Sequence, residues 1–118
     1  MPVRSPVLRL SDIIEAIERI RSVLSDMPLD VFETEWQAQW LVERGIEIIS
    51  EASRHLPNEL KARHPHIPWG KVASIGNILR HNYENIAAPV MWKLAQADLS
   101  ALEIVCREEL RAEQERRG

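Results

Sequence analysis

Residues 10–27 read LSDIIEAIERIRSVLSDM, and their spacing decides the fold class. Leu10, Ile13, Ile14, Ile17, Ile20, Leu24 and Met27 recur every three or four positions. That period gathers side chains on one face of an α-helix, whereas a half-buried strand would alternate. Ser11-Asp12 offers a capping pair and Pro28 a stop, so the pattern predicts a helix from Ser11 to about Asp26. A stripe this apolar has to be covered by further elements of the same kind.

Working outward, a second and longer helix is expected from around Thr34 to His55. Its stripe holds Ala38, Leu41, Gly45, Ile48 and Ala52, with Val42, Ile49 and Leu56 beside them. Gly45 weakens such a helix by about 1 kcal/mol relative to alanine, a cost commonly offset where another helix approaches closely. The neighbour expected there is the first helix or its symmetry mate. From Leu56 to Trp69, Pro57, Pro65 and Pro68 break the periodicity and leave room for one short helical piece between Asn58 and Arg63. A third long helix should run from Trp69 or Gly70 to Glu84 or Asn85. Pro89 then suits the first turn of a last helix carrying Trp92, Ala95, Leu99, Leu102 and Cys106. With no strand alternation and no internal repeat, the expectation is a single domain over residues 1–118. Its architecture is all-α, an antiparallel four-to-five-helix bundle of up-and-down topology.

Composition agrees: 45% of the 118 residues are apolar but only 5% aromatic, a balance that suits helices packed through aliphatic faces. Cys106 is the lone cysteine and sits among Leu99, Leu102 and Leu110, so a small buried thiol is expected rather than a nucleophile. Met1 to Leu10 holds two arginines and two prolines and no apolar run long enough for a signal sequence or membrane span. With no disulfide to form, a cytoplasmic location is expected. Trp36 and Trp40 stand one helical turn apart, and the favoured reading buries them in the monomer core; a dimer or partner contact is the other. Trp69 is expected to anchor the proline-rich loop.

The net charge is −3, but its distribution is uneven. Between Ala52 and Tyr83, Arg54, Lys61, Arg63, Lys71 and Arg80 face only Glu59, so this stretch carries +4 and the remainder −7. All four histidines, His55, His64, His66 and His81, lie in it. Such a patch suits either a phosphodiester backbone, with Arg54, Lys61, Arg63 and Lys71 as RNA-binding candidates, or a solvated face. Within it, Asn77, Arg80, His81 and Glu84 are spaced to share one helical face beside an apolar stripe of Val72, Ile75 and Leu79. His81 can exchange a proton near neutral pH, Arg80 can hold a phosphate, and Asn77 can brace the imidazole. The mundane readings stand beside these: His81 satisfied by a carboxylate, Arg80 paired with Glu84. His64-Pro65-His66 is only two metal ligands, so no metal constellation is read and no cofactor is expected.

The run Gly76-Asn77-Ile78-Leu79-Arg80-His81-Asn82-Tyr83 resembles the signature of the HEPN superfamily, specifically its HepT-like branch. The stretches 12–17, 43–52, 64–69 and 92–102 are similar to that branch in order and spacing. His81 and Tyr83 match its motif; the arginine usual before Asn77 is replaced by Gly76. The resemblance implies a dimeric helical bundle that acts as a metal-independent endoribonuclease, the toxin of a type VII-like toxin–antitoxin pair. It further implies a nucleotidyltransferase antitoxin of the MNT type as partner, and Tyr83 as the residue it adenylylates. Arg80, one turn beyond Gly76, lies where its guanidinium can cover the vacated space. The alternative is a catalytically silent HEPN module that binds RNA or a nucleotide, or serves as the structural partner of a nucleotidyltransferase.

Overall fold

The computed structural model describes residues 5–117, with the side chains at 78–87 and 117 set aside. Among them there is no strand, and the architecture is the all-α bundle expected. Four long helices, α1 (Val7–Leu24), α3 (Trp36–Arg54), α5 (Trp69–Ala97) and α6 (Leu99–Arg117), are joined through two short ones, α2 (Leu29–Phe32) and α4 (Asn58–Ala62). Helix α3 packs against both α1 and α5, while α6 packs against α1 and touches α5.

Helix α1 begins a turn earlier than its sequence suggests. Pro6 precedes it, the Leu10 amide already donates to Pro6 O, and Ser5 Oγ accepts from the Val7 amide at 3.3 Å. A proline at a helix start loses no bond, because the first amides have no partner within the helix. Leu10, Ile13, Ile17 and Ile20 are sealed in the core as their period requires. Pro28 does not end α1 directly: the helix stops at Leu24, Asp26 takes a positive φ of 60°, and Pro28 precedes α2. That extra turn exists to bury Phe32, the only phenylalanine, and Gln39 Nε2 ties it down by donating to the Phe32 and Glu33 carbonyls.

Along α3 the buried stripe is Ala38, Val42, Gly45, Ile49 and Ala52. Gly45 meets α1 as expected, for a Cβ there would lie 2.7 Å from Ile20 Cγ1. Two expectations fail on this helix. Leu41 is 59% exposed, one position round from the buried Val42. Trp36 and Trp40 are 55% and 67% exposed, not buried in the core. The physical reason is geometric: the stripe facing α1 passes through 38, 42 and 45, which turns 36 and 40 away from it.

The expected boundary before Pro89 is also corrected. Pro89 lies inside α5, and the break falls at Asp98, whose amide still donates to Leu94 O before α6 starts at Leu99. A straight helix would hold Val72 and Leu94 about 33 Å apart. Both nevertheless line one cavity of about 430 Å³ with Ile75 and Ala97, so the described ends of α5 converge. A proline, which lacks the amide and crowds the preceding turn, is a usual cause of such bending. Cys106 is fully buried and burial pushes its thiol up to about 12, as suits an inert core residue. No described helix is long and apolar enough to cross a membrane.

Candidate active site

The first turns of α5 are fixed to α3 by polar contacts. Ser50, buried in α3, donates its hydroxyl to the Ala73 carbonyl at 2.7 Å and accepts the Gly76 amide at 3.4 Å. Arg54 Nε donates to the same Ala73 carbonyl at 3.0 Å, and its other nitrogens reach Glu51 and Ser50. Gly76 permits this approach: a Cβ there would stand 3.0 Å from Ser50 Oγ and 3.1 Å from Ser50 Cβ. An arginine at 76 would therefore begin its side chain in a contact tighter than ordinary packing. Asn77, one residue on, is exposed. The motif is thus carried on a helix whose start is clamped to the bundle.

The proline-rich loop is held at two places. Trp69 Nε1 donates to the Lys61 and His64 carbonyls, both at 3.1 Å, which is the anchoring expected of it. Beyond it, Glu109 on α6 is only 7% exposed and receives Arg63 through Nη2 at 2.7 Å and Nε at 3.2 Å. His64 Nε2 joins the same carboxylate at 2.6 Å. The Arg63 bonds hold the Glu109 carboxyl below the usual carboxylate value against the opposing effect of burial, and His64 adds to them. Glu51 is likewise lowered, first by its hydrogen bond with His55.

The basic candidates therefore divide. Arg54 and Arg63 spend their guanidinium groups on Ala73, Glu51 and Glu109, while Lys61 is half-buried and Lys71 exposed. His66 and Lys71 line the mostly apolar cavity enclosed by α3, α5 and the start of α6. The side chains of Arg80, His81 and Tyr83 lie outside the described residues. Sequence reasoning missed Ser50 and Glu109. Only Glu109 carried a signal, a carboxylate at helical spacing from Leu102 and Cys106 on an otherwise apolar stripe.

Residues 13–109 match the family described as Ribonuclease HepT-like. The chain belongs to the HepT-like ribonuclease family. It is 38% identical over 93 residues to a Thermococcus cleftensis protein named "Probable ribonuclease HepT", covering 79% of this chain and 84% of that one. A Methanocaldococcus jannaschii relative, whose name assigns it as an RNase by inference, is 31% identical over 90 residues, covering 76% and 83% of the two chains. A second protein of that organism, named as a gamma-glutamylcyclotransferase with an inferred RNase part, is 36% identical over 93 residues. The match covers 79% of this chain and 42% of that one. No solved structure matches.

Proposed function

We propose that this HepT-like chain is a metal-independent endoribonuclease, the toxin of a toxin–antitoxin pair, working as a cytoplasmic homodimer. The observation that carries the reading is the family match, whose span of 13–109 includes the run from Gly76 to Tyr83. In the reaction, the RNA's own 2′-hydroxyl attacks the adjacent phosphorus. His81 takes the hydroxyl proton, and a proton returns to the departing 5′-oxygen, leaving a 2′,3′-cyclic phosphate. An imidazole, with an ordinary pKa of about 6.5, serves both directions near neutral pH. Arg80 supplies the positive charge that stabilises the phosphorane, since position 76 is glycine and faces Ser50. Asn77 orients the imidazole. DNA, lacking the nucleophile, is inert.

Regulation follows from the same place. A nucleotidyltransferase partner attaches adenylate to Tyr83, two residues from His81, and the added bulk and negative charge exclude the RNA backbone. Mass spectrometry of the Tyr83 peptide after co-expression checks this; neutralisation without the adenylate mass overturns it.

The principal test is controlled expression of wild type, His81→Ala and Arg80→Ala in a bacterial host lacking the partner, with growth and RNA integrity followed together. Both variants should relieve toxicity and leave RNA intact. Equal cleavage by His81→Ala removes the imidazole from the mechanism. Gly76 favours one second reading, the silent module, which a purified wild type that binds RNA and leaves it uncut would select.

A further inference from the structure

Trp36, Trp40, Glu43, Glu47, Ser50 and Arg54 succeed one another at four- and three-residue steps, so they form a single stripe along α3. Its C-terminal half is occupied: Ser50 and Arg54 bond to Ala73 of α5, and Glu47 Cα lies against Gly76. At its N-terminal end Trp36 and Trp40 are exposed, while Glu43 and Glu47 are partly buried. There the two indoles meet edge to face with ring centroids 5.0 Å apart, both more than half exposed, beside the equally exposed Leu41. The other two tryptophans are partly buried and donate their indole N–H groups to backbone carbonyls.

The charge around this patch is the reverse of the basic segment. Residues 30–47 contain Asp30, Glu33, Glu35, Glu43 and Glu47 against Arg44 alone, a net −4. A cleft of about 210 Å³ opens directly beside Trp40, lined by Glu43, Arg44 and Glu47. Arg44 pairs with Glu47 at 3.5 Å within this cleft, while Glu43 is held above the ordinary carboxylate value, first by burial and then by Glu47, so a further cation would be drawn to Glu43. Phosphates would be repelled by the same carboxylates.

We propose that the N-terminal end of the α3 stripe, Trp36, Trp40 and Leu41 with Glu43 and Glu47 at its edge, docks a cationic amphipathic helix of a partner protein. The apolar face of such a helix covers the indoles, and its Lys or Arg side chains reach the acidic rim. Large aromatic anchors ringed by charge are how binding energy is concentrated in protein interfaces. The surface goes beyond the nuclease reading.

The test uses the full chain and two probes, amphipathic peptides of about five helical turns built from Leu and Lys or from Leu and Glu. Tryptophan emission and calorimetry follow binding. The Lys peptide should bind at least about tenfold tighter than the Glu peptide and shift the emission to the blue. Trp36→Ala with Trp40→Ala should weaken it about tenfold or more, and Glu43→Lys should weaken it with both indoles intact. Equal affinity for the two peptides, or no effect of either variant, overturns the proposal. It is also overturned if the double tryptophan variant converts a dimer to a monomer in sedimentation, or loses affinity for single-stranded RNA. The covering group would then be a second copy or a nucleobase.

Discussion

At Gly45 a single added carbon would sit 2.7 Å from Ile20 Cγ1 and 2.8 Å from Ile20 Cδ1, and Ile20 is itself fully buried. Alanine raises helix propensity by about 1 kcal/mol, but overpacking a closed core costs about 1–3 kcal/mol. Gly45→Ala should therefore lower stability by about 1 kcal/mol in a urea titration; a gain would mean that α1 yields more easily than its burial suggests. Gly76 is the same device turned toward α3. Its glycine is explained by the Ser50 contact, independently of catalysis. Gly45 was legible in the sequence because a glycine within an apolar stripe has few other uses. Gly76 was legible only as a missing arginine, since Ser50, 26 residues earlier, gave no sign that it would face it.

Between elements, the Arg63–Glu109–His64 cluster joins the proline-rich loop to α6. Glu109 titrates below the unfolded carboxylate, so its contribution is present above about pH 4.3 and is lost as pH falls through the lower folded value. Glu109→Gln should cost about 1–3 kcal/mol at neutral pH, because Arg63 loses its charged partner. The deficit against wild type should shrink in unfolding measured near pH 3, below the ordinary carboxylate range. A deficit constant with pH would assign the loss to packing instead. Hydrogen exchange should speed up in residues 57–68, which would keep the Trp69 hydrogen bonds and the buried Leu60 and Ile67 but lose their polar tie to α6. The helices themselves were readable from period alone. Their ends were not: Ser5-Pro6, Asp26 and Asp98 set them, and each competes with equally good capping or breaking residues nearby.

Across the whole molecule, charge is segregated along the chain, basic from Ala52 to Tyr83 and acidic from Asp30 to Glu47. If the basic segment tracks RNA, each phosphate contact contributes about 0.7 to the slope of log affinity against log salt for a single strand. Lys61→Ala with Lys71→Ala should therefore flatten that slope by about 1.4 while leaving stability nearly unchanged. Arg63→Ala should do the opposite, since its guanidinium is committed to Glu109: stability falls and the slope barely moves. A double lysine variant with an unaltered slope would remove these residues from the RNA surface.

Sequence alone pointed to a helical fold, to a close helix approach at Gly45, to a buried Cys106 and to the family; that the approaching helix is α1 came from the structure. These follow from period, composition and local motif, properties that survive without knowing which face meets which. Tertiary structure alone decided that Trp36 and Trp40 stand in solvent, that Arg54 and Arg63 are bound within the protein, and that Glu109 is the group that holds the loop. Each of these depends on rotation about a helix axis or on pairing between residues distant in sequence. A 100° step along the helix separates a buried position from an exposed one, and no local pattern sets that angle.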